Sequence, residues 1–557
     1  MSGIDQESNR PGYRRFLVVA LIVVVALVLV VGLQELANAF PATFDQDACS
    51  HYISGAMIHD YIVRGGLTNP VHFLSHYYEH YPLIGIGHWG PFYYGIEALW
   101  MMLFSSSQSA LLLLSATVTV ATALSLYLST ERQLGIAAAL FVGLAYIVSP
   151  LTQNESAVLM LDGPIALVCL CATLIYANFM HAGKLRDAVL FGFFAAAGLL
   201  IKGNAGCLAL VPVFAVLIGR RFDLPFKLAF WAPVPIVAIL AGLWYYLTWG
   251  AIAQGFRYGF GIYYASHAAW ANFGYLLNDV GPLILALALI SIIRVCGRLR
   301  QHTADGPQNN LQICAASLFC AAFVFQLAVP AALQARYMLL AVPPILILAA
   351  IEADYLSGWI CQRYRGGIMQ TKAVWQMGAF AVLIVSLVPF ASQIPNLKDE
   401  GFAEAAQQVW RNRLPDNPVV LIAGDAKAEC ASIVGLAMLD KNRPSIFVVR
   451  GSRLLGGGGY NNQDYRPRFA DVRGVMAEID RYKIPFVLFR NSGMQKTWLH
   501  LAQIQEARAL YPGRWKLIYR DTNHSAGIFL FRIKENVGQK MDEPMIAALN
   551  AAKGLKD

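Results

Sequence analysis

Apolar residues run in long blocks through the first 393 residues and in short, alternating runs after that. The first block, Phe16–Leu33, is eighteen apolar residues behind Arg14 and Arg15. A membrane span needs ~20 such residues, and flanking arginines hold their end in the cytoplasm. Ala37-Asn38-Ala39 imitates a signal-peptidase site. The apolar run is longer than a usual signal core and further spans follow, so the pattern predicts a retained helix. Gln34–His88 is too polar to cross a bilayer, and Pro91–Phe104, only fourteen residues, suits a helix lying at the interface. Spans are expected near 110–128, 134–148, 164–182, 188–201, 208–219, 228–249, 280–293, 311–329, 337–350 and 374–390, about eleven in all.

After Ile394 the rhythm changes. Strand-like runs (Val419–Ile422, Ser445–Val449, Pro485–Phe489, Trp515–Ile518, Gly527–Phe531) alternate with helical stretches such as Phe402–Arg411 and Ala426–Leu439, an α/β pattern. More than half of all acidic and basic residues fall in this tail, which marks a domain boundary. The division expected is 1–393, membrane-embedded, with a first outer loop over about 34–108, and 394–557, a water-soluble α/β domain. The Gly456–Gly459 run reads as a flexible loop, since it lacks the spacing of a phosphate-binding motif.

Composition agrees. The chain is 57% hydrophobic and 14% charged, with a mean hydropathy of +0.49, which excludes a single soluble domain and intrinsic disorder. The net charge of +9 does not imply nucleic acid, because the basic residues lie between apolar blocks as topology markers. Loops after even-numbered spans contain Glu131-Arg132, Lys184-Leu185-Arg186, Arg220-Arg221, Arg294 through Arg300 and Arg363 through Lys372. Opposite loops are poor in Lys and Arg, with Lys202, Arg257 and Arg336 as exceptions. This asymmetry predicts a cytoplasmic N-terminus and an extracytoplasmic tail. The nine cysteines show neither C-x-x-C pairs nor zinc spacing.

Ionisable groups at span ends are functional candidates by default. On the outer face these are Asp45, Asp47, His51, His59, Asp60, Glu79, His88, Asp162, Lys202, Arg257, Asp279 and Arg336. Asp47 and Asp162 come from separate outer loops and suit a general base and its partner. Their plainer reading is helix capping, Asp47 before Ala48 and Asp162 before Gly163-Pro164. Lys202 and Arg336, otherwise snorkelling anchors, suit a phosphate leaving group. His76-Tyr-Tyr-Glu-His80 matches H-x-x-E-H, but Pro82 ends any helix there, so an aromatic and polar loop surface is expected and no metal ligand is assigned.

These residues resemble the GT-C superfamily of membrane glycosyltransferases, in its bacterial branch related to protein O-mannosyltransferases and the aminoarabinose transferase of lipid A. The matching pieces are Asp47 with His51-Tyr52 and Asp60-Tyr61; His88-Trp-Gly-Pro-Phe-Tyr-Tyr94; Ser149-Pro150 leading to Asp162; Leu200-Ile-Lys-Gly203; and Arg336-Tyr-Met-Leu-Leu-Ala-Val-Pro-Pro344. They cover roughly residues 14–352. The resemblance implies inverting transfer of a sugar from a polyprenyl-phosphate donor to a glycan, lipid or protein acceptor, outside the cytoplasm. It implies Asp47 and Asp162 as catalytic carboxylates, and Lys202, Arg336, His88, His51 and Tyr337 as substrate contacts. No cofactor is firmly implied, though a divalent metal is compatible. Two departures stand out: Ala48 follows Asp47 where the family often has Glu, and the usual Glu-Lys-Pro-Pro reads His88-Trp89-Gly90-Pro91. The second removes one phosphate-binding lysine. The rival reading is a transporter or lipid flippase, but no internal repeat supports it.

Overall fold

The computed structural model describes residues 11–64, 69–298, 307–363, 371–457, 465–491, 493, 497–524, 527–540, 545 and 549. They form two compact units. The first comprises residues 1–37, 87–93 and 112–396, and the second 38–86, 94–111 and 397–557. Residues 38–86 and 94–111 thus cluster with the C-terminal segment.

The helices of the first unit begin with α1 (Pro11–Leu36). In the second unit lie α2 (Gln46–Arg64) and α3 (Pro70–His80), with most of α4 (Phe92–Leu103). There follow α5 (Gln108–Leu134), α6 (Ile136–Val148), α7 (Pro150–Ser156), α8 (Asp162–Ala182), α9 (Leu185–Leu199) and α10 (Val211–Gly219). Next are α11 (Leu228–Trp231), α12 (Pro233–Val237) and α13 (Leu243–Ala253), which make one apolar stretch. The unit closes with α14 (Ile262–Arg298), α15 (Pro307–Ala328), α16 (Val342–Arg363) and α17 (Lys372–Ala391).

Every expected span is helical. Among the described residues, eight helices are long and apolar enough to cross a membrane, and α6 with α7 makes a ninth if the 58° bent pair counts as one span. The segments expected at 188–201 and 208–219 are shorter, Leu185–Leu199 and Gly203–Gly219. The bend has a local cause. Ser149 caps α7, with Pro150 in its first turn, and buried Asp279 accepts the Leu151 amide at 2.7 Å. Asp279 therefore serves a helix end rather than surface chemistry. In α1 the buried Gln34 donates to Leu112 O and Ser156 O, tying that helix to α5 and α7. Loop residues 299–306 and 364–370, which carry several of the expected topology markers, lie outside the described residues, as do Gly458 and Gly459.

The second unit is built on a mixed five-stranded sheet ordered β2-β1-β5-β7-β6. Its strands are β1 (Val419–Ala423), β2 (Phe447–Arg450), β5 (Phe486–Arg490), β6 (Trp515–Arg520) and β7 (Ile528–Ile533). β1 pairs in parallel with β2 and β5, while β7 pairs antiparallel with β5 and β6. β3 (Gly456–Gly457) and β4 (Arg466–Pro467) form a separate short ladder, so half of the glycine run is a strand. Val419, Leu421, Val449, Val487, Phe531 and Ile533 build the core with the buried faces of α21 (Val472–Arg481) and α22 (Leu499–Leu510). α18 (Phe402–Asn412) and α19 (Ala426–Leu439) pack on each other, and α19 also packs against α2.

The loop helices are anchored by buried charge. Asp60, fully buried, receives Arg443 Nε at 2.7 Å, Arg443 Nη2 at 3.2 Å and Tyr77 OH at 3.0 Å. Burial is the largest single influence and opposes the Arg443 charge, but the Asp60 hydrogen bond and charge together with Tyr52 and Tyr77 outweigh it and raise the guanidinium above its usual range. α4 is amphipathic. Tyr94, Glu97, Ala98 and Met101 are buried, while Phe92, Leu99, Met102 and Leu103 are exposed, as expected of an interfacial helix.

Candidate active site

The site residues divide between the two units. In the first unit, α8 starts at Asp162, whose side chain makes no capping bond. Both of its oxygens instead accept Lys202 Nζ, at 2.7 and 2.8 Å. The capping reading of Asp162 is therefore replaced by a buried ion pair, with side chains 1% and 10% exposed. Lys202 reaches it because the chain leaves α9 in extended geometry (φ −154°) and then turns into the 3-10 segment Gly203–Ala209. Tyr337 lies beneath both cations, its ring centre 4.8 Å from Lys202 Nζ and 5.6 Å from Arg336 Cζ. Arg336 Nε donates to Gln334 Oε1 at 2.8 Å, and Nη1 approaches Met160 Sδ at 3.7 Å. Asp162 pairs with one cation of this cluster, Lys202, and the planar donors of the other, the Arg336 guanidinium, suit a phosphate.

The segment replacing Glu-Lys-Pro-Pro lies against the same turn. Phe92 N donates to Leu200 O at 3.0 Å, and a Cβ on Gly90 would fall 2.1 Å from that oxygen. Only glycine lets the two backbones approach so closely. His88 Nδ1 meets Ala251 O at 3.1 Å, which places its ring at the end of α13.

In the second unit, Asp45 caps α2 by accepting the Ala48 amide at 2.9 Å. Asp47 is thereby relieved of the capping role and sits, partly exposed, in the first turn. His51, one turn on, is buried and shares a 2.9 Å hydrogen bond with Tyr94 OH. Tyr52 donates to Ser106 O at 3.1 Å, and burial raises its phenol to about 12. Glu97 is fully buried behind Gly55, and burial pushes its carboxyl well above the usual range.

Two groups of three metal-type ligands occur among the described residues, both in the second unit: His76, Glu79 and His80, and Asp399, Glu404 and His524. Sequence reasoning missed the second, whose members are scattered over more than a hundred positions. It read the first as an aromatic and polar loop surface, whereas the three residues lie on α3, with His76 exposed and His80 buried, its ring centre 3.9 Å from that of Phe447. Asp162 belongs to neither group.

Residues 89–250 match the model of the dolichyl-phosphate-mannose-protein mannosyltransferase family. No curated protein sequence matches the chain. Among solved structures, ArnT from Cupriavidus metallidurans in the apo state aligns at 14% identity with a TM-score of 0.55, over 94% of this chain and 99% of that one. The same protein bound to undecaprenyl phosphate aligns at 16% identity with a TM-score of 0.51, over 94% and 98%. The apo oligosaccharyltransferase of Archaeoglobus fulgidus aligns at 12% and 0.54, over 87% of this chain and 71% of that one. The chain is a multi-pass membrane protein with the fold of the GT-C membrane glycosyltransferases.

Proposed function

We propose that the chain is an inverting glycosyltransferase that moves a sugar from a polyprenyl-phosphate-linked donor to a glycan, lipid or protein acceptor at the periplasmic face of the bacterial inner membrane. The observation that carries this reading is the Asp162–Lys202–Tyr337–Arg336 cluster, in which the buried Asp162–Lys202 pair, where α8 begins and α9 ends, meets the half-buried Tyr337 and Arg336. Relatives of the same fold support the donor class: ArnT was solved with undecaprenyl phosphate, and the Archaeoglobus enzyme with a dolichol phosphate.

In this reading residues 1–393 form the catalytic membrane domain and 394–557 an extracytoplasmic α/β domain. The polyprenyl chain lies among apolar helices while its phosphate meets Arg336 and Lys202. Asp162 orients Lys202, and Tyr337 supports both cations. An acceptor oxygen attacks the anomeric carbon as the bond to phosphate breaks. The acceptor proton passes to Asp47, and the electron pair leaves on the polyprenyl phosphate, whose growing charge the two cations stabilise. His51, oriented by Tyr94, and His88 contact the sugar and phosphate.

Deleting the gene and comparing envelope glycolipids, polysaccharides and glycoproteins by mass spectrometry should reveal one missing sugar residue, restored by the wild-type gene but not by Asp47→Asn. An unchanged envelope together with blocked lipid translocation would instead establish the flippase reading.

A further inference from the structure

In the C-terminal segment, Asp399, Glu404 and His524 each place one metal-ligand atom so that all three lie within 4.8 Å of one another. They come from the strap before α18, the first turn of α18, and the turn between β6 and β7. We infer that they bind a divalent transition-metal ion, zinc by the chemistry of the ligands, which fastens that strap to the β6–β7 turn.

Several observations converge on an ion. His524 Nε2 stands 3.6 Å from Asp399 Oδ2. Two ligands on a tetrahedral ion with bonds of ~2.1 Å are about 3.4 Å apart. The other ring nitrogen, Nδ1, is 3.2 Å from Asp521 Oδ1, and the Asp521 residue is only 6% exposed. A carboxylate on the far nitrogen fixes the tautomer and turns the Nε2 lone pair outward, as in most protein-bound metals. Gly401, at φ +80°, lies close against the imidazole, and a Cβ there would come within 2.6 Å of Nδ1. The ring is thus clamped before any ligand arrives.

Charge balance separates an ion from a simple hydrogen-bonded cluster. Three carboxylates, Asp399, Glu404 and Asp521, surround one imidazole. Protonation of that imidazole cancels one negative charge, whereas a dication bound to neutral His524 cancels two. Glu404 Oε2 is moreover a buried acceptor that finds no donor among the described residues. A buried carboxylate oxygen without a donor is costly, and an ion satisfies it. One imidazole with carboxylates favours zinc, cobalt or manganese over calcium or magnesium. His524 and Asp399 retain 19% and 26% side-chain exposure, so an ion can enter from solvent.

The strap also touches the first loop. Thr43 N donates to Lys398 O at 3.0 Å, and Glu400 N donates to Thr43 Oγ1 at 2.9 Å, just ahead of Asp45 and Asp47. The ion would therefore steady the segment that leads into α2, independently of whether Asp47 takes the acceptor proton.

The test uses the full chain in detergent, purified without a polyhistidine tag, stripped with chelator and titrated with Co²⁺ and Zn²⁺. One equivalent of Co²⁺ should bind with a visible d–d absorption that Zn²⁺ bleaches. His524→Gln and Glu404→Gln should each weaken binding at least tenfold, and Asp521→Asn by roughly 10–100-fold. His76→Gln in the other ligand cluster should leave binding unchanged. Glu404→Gln is nearly isosteric, so it remains readable if His524→Gln misfolds. Absence of bound metal, or binding lost in His76→Gln and retained in Glu404→Gln, overturns the site.

Discussion

Lys202 and Asp162 form the tightest charge contact of the first unit's candidate site, and their burial sets what substitution must cost. Truncating one partner of a buried pair strands the other charge, typically at about 3–5 kcal/mol. Lys202→Met should therefore lower the thermal stability of the detergent-solubilised protein as well as donor binding. The double variant Lys202→Met/Asp162→Asn removes both charges and should regain most of the stability while donor affinity stays low. Recovery of donor affinity in the double variant would remove Lys202 from phosphate binding. His524 gives a second expectation at this scale. Burial disfavours its charge, yet the bond to Asp521 and the Asp399, Asp521 and Glu404 carboxylates outweigh that and raise its pKa above 6.5; Tyr519 is the further titrating group beside these carboxylates. With metal removed, the stabilisation from protonated His524 is complete below about pH 6.5 and fades as pH rises through the raised folded value. Unfolding of wild type and His524→Gln in chelator should then differ most at about pH 6 and converge by about pH 9. A pH-independent difference would deny the charge its role.

At the scale of elements, the loop helices and the C-terminal segment depend on each other. Arg443 and Asp60 are 5% and 0% exposed at the side chain, and Tyr81 OH donates to Asp440 Oδ2 at 2.6 Å nearby. Asp60→Ala leaves a buried guanidinium without its carboxylate, again costing roughly 3–5 kcal/mol. Limited proteolysis should then cut around residues 64–70 and 440–445 much faster than in wild type, and equal cleavage rates would show the pair to be dispensable. This contact illustrates which features a sequence reveals. Spans, strands and the interfacial helix are periodic, so they are legible locally, and the eleven apolar segments all proved helical. The Asp60–Arg443 pair joins positions 383 apart and leaves no periodic trace. Asp47 shows a subtler limit: whether Asp45 or Asp47 caps α2 turns on a helix boundary two residues either way, which pattern alone does not resolve. Asp162 and Lys202 were legible as isolated charges at span ends, but their bidentate contact, 40 positions apart, emerged only from packing.

Across the whole bundle of the first unit, side-chain contacts bring the basic loops to one end. Arg15 pairs with Glu131 at the end of α5, and Gln376 in the first turns of α17 reaches both Leu134 O and Asp354. Lys372 also pairs with Asp354, Arg294 with Glu352, and Arg221 donates to Met180 O near the end of α8. Asp162, at the start of α8, and Lys202, just past the end of α9, belong to the opposite helix ends. Because loops rich in Lys and Arg stay in the cytoplasm, the proposed site should open on the periplasmic side. With exposed Cys296 replaced by serine, Lys516→Cys in β6 should react with a membrane-impermeant maleimide in intact spheroplasts, while Lys184→Cys, between α8 and α9, should react only after lysis. The reverse pattern would turn the Asp162–Lys202 cluster toward the cytoplasm. The donor would then have to present its sugar on the inner leaflet, and the charge asymmetry of the loops would have no topological meaning.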